Sequence, residues 1–270
     1  MSNLFNRQKL FIIGAAVVLF SCQKEQSLPE SIQEIPSSSA RADQTTKYNT
    51  FKGEEVPMGT GYARSWITLS HTDVPREIGI EMTKAAITSL VEHSLTTMLP
   101  LHHKAIDATA FEHIVINWNL HGHPPTGIFT VPHFDFHFYT ITNAERLAIP
   151  IYPLAMAAFD NLPPAGYMPA SYSPDPGGVP QMGKHWGNRS VAPGTFTKTM
   201  TLGSYNGKVN FIEPMITKSA LLSGVAFSLP FAQPDLFAEH TYYPTRYNFF
   251  AENGMYYITL SDFLLQKKGQ

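Results

Sequence analysis

His133, Asp135 and His137 occupy alternate positions in PHFDFHFY (132–139), each followed by an aromatic residue. In an extended chain, alternate side chains share a face. The two imidazoles and the carboxylate then line one side of a strand, and Phe134, Phe136 and Phe138 line the other. Imidazole nitrogen and carboxylate oxygen together suit Zn, Fe(II), Mn or Cu(II). Strand geometry limits the set, because residues two apart are separated by about 6.6 Å and residues four apart by about 13 Å. His133 and His137 are therefore not expected on one ion. Asp135 has a second expected role, orienting an imidazole without touching the metal.

The preceding stretch, EHIVINWNLHGHPP (112–125), has the same design. Ile114, Ile116, Trp118 and Leu120 form one face. His113, Asn117 and Asn119 form the other, with His121 and His123 following in phase. If the two strands pair as a hairpin, His121, His123, His133, Asp135 and His137 share one polar face. His185 in GGVPQMGKHWGN and Glu213 in FIEPMI complete the candidate ligand set. The leading ligand expectations are His121, His123 and His133. Competing readings are a hydrogen-bonded polar cavity without metal and a solvated strand face, which is polar in any case. Against the solvated face, Lys184 is the only lysine between His113 and His185.

Two chemistries follow from a divalent metal with an open coordination position. A Zn-bound water can hydrolyse an ester or amide of a small molecule. An Fe(II) held by two histidines and a carboxylate can activate oxygen. A reading of another class is a non-catalytic envelope oligomer whose His and Asn rows are polar packing. Other motifs carry less. Gly178–Lys184 starts like a phosphate loop but ends in His185, and Pro180 removes an N–H. No GxSxG elbow is present. Arg246 in YYPTRY is expected to be structural.

The elements that must position these residues read as mainly β, a sandwich or jelly-roll-like barrel with a few short helices. Strands are predicted over 63–69 (with Trp66 in the core), 77–82, 111–120, 131–141, 196–202, 208–212 and 256–260. Asn206-Gly207 reads as a hairpin turn. A short helix is predicted over 83–91, and Thr142-Asn143-Ala144-Glu145 reads as a capping box opening another. Residues 150–195, rich in Pro and Gly, are expected to be largely loop, long enough to need a purpose. The formal net charge of −2, with no basic run to neutralise phosphates, gives no expectation of a nucleic-acid partner.

The chain's one cysteine, Cys22, follows Arg7, Lys9 and an apolar run from Leu10 to Phe20. That pattern predicts a lipoprotein signal peptide over 1–21, cut before a lipidated Cys22. Residues 22–50 then form a polar, flexible tether, and 51–265 one β-rich domain. The mature chain would be exported and lipid-anchored at the cell envelope, with the outer membrane expected. Its body would have no thiol for a disulfide or a cysteine nucleophile.

The blocks GYARSW, NWNLHGHPPTGIFTVPHFDFHFY, GGVPQMGKHW, FIEPMIT and YYPTRY resemble a family of exported bacterial proteins. It is classed as a domain of unknown function, with a Thermus protein as structural representative. The resemblance spans roughly 53–263, leaving the signal and tether outside. It implies a β-rich fold and homo-oligomers, and it brings no established activity.

Overall fold

Alternating runs of branched and aromatic residues build two seven-stranded antiparallel sheets, with a separate two-stranded ribbon, in the computed structural model, which describes residues 47–188 and 190–269. The signal segment, Cys22 and the tether up to residue 46 lie outside the described residues. The first strands are β1 (Tyr48–Lys52), β2 (Val56–Met58), β3 (Gly61–Ser70) and β4 (Pro75–Thr83). Tyr48–Thr50, assigned above to the tether, instead pair with Ser70–Thr68. Helix α1 (Lys84–Thr88) follows, opened by the Thr83 hydroxyl accepting from the Ala86 N–H. Next come β5 (Leu95–Pro100), α2 (His103–Ala108), β6 (His113–Asn119) and β7 (His133–Tyr139). Helix α3 (Asn143–Leu147) starts with the expected reciprocal Thr142–Glu145 capping box.

Residues 150–195 hold a 3₁₀ turn (Tyr152–Leu154), α4 (Met156–Asp160), β8 (Ser173–Pro174) and β9 (Lys184–Gly187). The chain then forms β10 (Lys198–Tyr205) and β11 (Lys208–Thr217). They are joined by Asn206 and Gly207, both at positive φ, as the hairpin turn requires. Helix α5 (Lys218–Ser223), β12 (Phe227–Pro230), β13 (Tyr242–Tyr243), β14 (Arg246–Glu252), β15 (Met255–Ser261) and β16 (Leu264–Leu265) complete the chain.

The first sheet has the order β1-β3-β4-β15-β14-β12, with β2 also on β3; the second runs β5-β6-β7-β11-β10-β9-β8. The inner faces meet in one apolar cluster. Ile67, Leu69, Ile78 and Ile80 come from the first sheet, and Ile114, Ile116, Trp118, Phe134, Phe136 and Phe138 from the second. Each such side chain, withdrawn from water, contributes roughly 1.5–3 kcal/mol, and together they lock the pleat of β6 and β7. The result, among the described residues, is a β-sandwich with five short helices. Trp66 is buried, but on the outer face of the first sheet. The inward positions of β3 belong to Ala63, Ile67 and Leu69.

Candidate metal centre

Once the phenylalanines of β7 point inward, His133, Asp135 and His137 must point away from the sandwich interior. They face neither solvent nor a barrel cavity. The outer face of the second sheet is covered, and all three are buried. The cover comes from residues 120–132 and from the Pro/Gly-rich segment. Phe129 and Phe196 pack edge to face, with ring centroids 4.9 Å apart, and Phe196 packs 5.3 Å from His133. The Tyr139 hydroxyl donates to the Gln181 carbonyl, and Asn210 Nδ2 donates to the Met182 carbonyl. Gln181 and Met182 of the long 150–195 segment thus contribute to the cover of this face.

The β6–β7 register sets Asn119 opposite His133 and Asn117 opposite Asp135. On the other side of β7, the pairs Ile212–Phe138 and Met215–Asp135 place Glu213 beside His137. His185 in β9 stands opposite Gly203 of β10, which stands opposite Phe211. A Cβ at Gly203 would lie 2.0 Å from the Phe211 ring. Only glycine lets that ring lie across β10 and reach His185, with centroids 5.1 Å apart.

Two groups result among the described residues: His123 with His133 and Asp135, and His137 with His185 and Glu213. In each, the three ligand atoms lie within 4.8 Å of one another. This is the division that strand spacing requires, with His133 and His137 in different groups. In the first group, His123 Nε2 is 3.3 Å from Asp135 Oδ2 and His133 Nε2 is 3.1 Å from Asp135 Oδ1. Asn119 Nδ2 also donates to Oδ2 at 2.7 Å. Both imidazoles lie 2.7 Å through Nδ1 from a backbone carbonyl, His123 from Pro124 and His133 from Val131. A carbonyl can only accept, so Nδ1 carries the proton. In the neutral rings Nε2 is then a bare lone pair aimed at the carboxylate. Two acceptors face to face repel unless a proton or a metal cation lies between them. A second-shell carbonyl on Nδ1 is the usual support of a metal-ligating histidine.

In the second group, His137 Nε2 is 3.3 Å from Glu213 Oε1, and His185 Nε2 is 3.7 Å from Oε2. Both ring nitrogens of His137, and Glu213 Oε2, are buried without a hydrogen-bond partner. So are His133 Nε2 and Asp135 Oδ1 in the first group. Buried polar atoms are rarely left so.

The electrostatics separate the groups. Burial works against ionisation of Asp135, but the His123 and His133 imidazoles outweigh it and hold the carboxyl well below its usual range. Burial pulls His123 down, yet hydrogen bonding to Asp135 and its charge leave it raised. In the second group burial dominates. It lowers His137 to about 3 and His185 to about 4. Burial, with the Asp135 charge next, pushes Glu213 well above its ordinary value. Burial thus favours the neutral form of each member of the second group.

His121 corrects the expectation placed on it: it is exposed and belongs to neither group. β6 ends at Asn119, and Gly122 sits at positive φ with no room for a Cβ, which would meet the Phe129 carbonyl at 2.0 Å. The turn breaks the strand phase, so His121 points out and His123 turns in. Asp135 lies within ligand reach, closer to the centre than an orienting role alone requires. Beyond the candidate set, His113 is buried and stacked 4.8 Å from Tyr139 with both nitrogens unpartnered. Its place on the polar face of β6 was legible in the alternation.

Comparison with protein-family models, curated proteins and solved structures returned no match for the chain.

Proposed function

We propose that the chain is an exported, lipid-anchored envelope protein whose sandwich domain binds divalent metal at the roofed face of its second sheet. One observation carries this reading: imidazole nitrogens and carboxylate oxygens, most of them buried, converge in two sets of three within 4.8 Å, and several of these atoms have no hydrogen-bond partner. Each set is two nitrogens and one oxygen, a donor combination that suits Zn or Fe(II) and leaves coordination positions open. Asp135 and His137 stand about 6.6 Å apart along β7. Two ions would then form separate centres, wider than the roughly 3.5–4 Å of a bridged pair.

The groups divide the work by access. His123 keeps 34% of its side chain exposed, whereas His133 and Asp135 are closed off. The first group is therefore the side a small substrate can reach, and a bound Zn²⁺ there would supply an activated water for hydrolysis. The second group, with only His185 partly exposed at 16%, suits a structural ion. The N-terminal lipoprotein pattern supports the envelope location. The resemblance of the HGHPP and PHFDFHFY blocks to exported bacterial proteins supports it too, along with a homo-oligomeric state.

Metal analysis of the full chain, purified without a His tag, tests the reading. One to two equivalents of a transition metal are expected. His133→Ala should remove the ion of the first group, and His137→Ala that of the second. A metal-free protein whose stability and assembly are unchanged by added Zn²⁺ or by chelator would favour the alternative, in which the histidine rows are packing in a non-catalytic oligomer. Recovery of iron in place of zinc would favour the oxygenase reading.

A further inference from the structure

We propose that the outer face of the first sheet carries a second site, for the ring of a neutral sugar. It lies on the opposite sheet from the metal groups and does not depend on them. Strand alternation puts Lys52, Trp66, Glu77, Glu81 and Tyr257 on this face, around a cavity of about 300 Å³. That volume lies at the lower end of the small-ligand range.

The lining has the two components that sugar recognition needs. The first is an aromatic wall. The Trp66 and Tyr257 rings meet edge to face, with centroids 6.3 Å apart, and Phe250 stacks on Tyr257 at 4.6 Å. Such rings accept the C–H face of a pyranose at little conformational cost. The second is a polar rim of mixed sign. Lys52 pairs with Glu81 at 2.9 Å, and Arg76 lies over the Tyr48 ring. With two cations and three carboxylates in the lining, no strongly charged ligand is favoured. Hydroxyl groups, which both donate and accept, match such a rim.

An independent observation points to a ligand. Trp66 is only 8% exposed, and its Nε1–H has no acceptor. A buried donor without a partner is costly; its nitrogen is closed to a molecule the size of water, so a sugar hydroxyl would become its acceptor through a shift of the Trp66 ring on binding. Trp118 Nε1 is also unpartnered, but that ring belongs to the sandwich interior, whereas Trp66 lines an open cavity.

The test is titration of the full chain, held in a detergent without sugar headgroups, with maltotriose, cellotriose and tri-N-acetylchitotriose. Binding is followed by calorimetry and tryptophan emission. At least one trisaccharide should bind saturably at micromolar to millimolar concentration and shift the emission. Tyr257→Ala, at a half-buried position, should weaken binding roughly tenfold or more through lost stacking. Trp66→Phe should do likewise through the lost N–H. His133→Ala should leave sugar binding unchanged, so failure of the metal reading and failure of this one are separable. Circular dichroism melts establish that each variant is folded. If Trp66→Phe does not fold, Tyr257→Ala decides. The proposal is overturned if none of the three sugars binds at millimolar concentration, or if folded Tyr257→Ala binds as tightly as the parent chain.

Discussion

The outer faces of the two sheets treat buried carboxylates in opposite ways. On the first sheet, Glu81 is nearly closed off and meets permanent cations, Lys52 Nζ at 2.9 Å and the Arg64 guanidinium. On the second, Asp135 and Glu213 are equally buried and meet imidazoles, with only the neutral Asn119 amide in addition. A carboxylate opposite lysine and arginine is complete as it stands. Those opposite imidazoles balance their charge with a titratable proton, on His123 beside Asp135 and on Glu213 itself, and a divalent ion would take that proton's place. The contrast shows that burial alone does not mark a site; the marker is burial with the charge balance left open.

Acid should separate the two faces most strongly. In chelator, burial holds His137 at about 3, and His113 and His185 at about 4, against an ordinary 6.5. The unfolded chain takes up protons near 6.5, and the folded chain does not until lower pH. The stability these groups contribute is therefore full above about 6.5 and is lost as pH falls toward 4. Urea midpoints should drop steeply across that window. His137→Gln should flatten the slope, and Lys52→Met on the first sheet should leave it unchanged. An unaltered slope in the His137 variant would mean that this ring is already charged and partnered.

Glu213→Gln sharpens the contrast at neutral pH. The Glu213 carboxyl is pushed up, mainly by burial, so its contribution is present below 4.5 and is lost as pH rises. Glutamine stays neutral. In chelator at pH 7 the variant should be more stable by roughly 1–2 kcal/mol, while losing stabilisation by added Zn²⁺ at the second group. Calorimetric melts with and without metal check both halves. A lower melting point in chelator would place Glu213 among structural carboxylates like Glu81.

The smallest effect belongs to the first sheet. Lys52 is 43% exposed, and Glu81 keeps Arg64, so Lys52→Met should change stability by under about 1 kcal/mol. Denaturant melts at low and high salt measure it. A larger loss would show that the first sheet depends on its ion pairs for stability.

Much of this was legible from residue order, and the misses have physical causes. The faces of β6 and β7, the capping box at Thr142 and the turn at Asn206-Gly207 each follow from neighbours a few residues apart. β5 and β12 were missed because their irregular runs gain strand structure only by pairing with β6 and β14. Trp66 was expected among the core residues of β3, yet the pleat reserves those positions for Ala63, Ile67 and Leu69. His185 and Glu213 were identifiable as candidates, but nothing near them in the chain names their partner.

By itself, residue order determined which side chains share a face and which pairs are too far apart for one ion, because the pleat of a strand is a local, two-residue repeat. Tertiary structure alone decided that His123 and not His121 turns inward, and that Glu213 and His185 meet His137. It also decided that residues 120–132 and part of the 150–195 segment cover the row. Those outcomes depend on register between distant strands and on the path of a long connection, and neither is encoded in any short window of the chain.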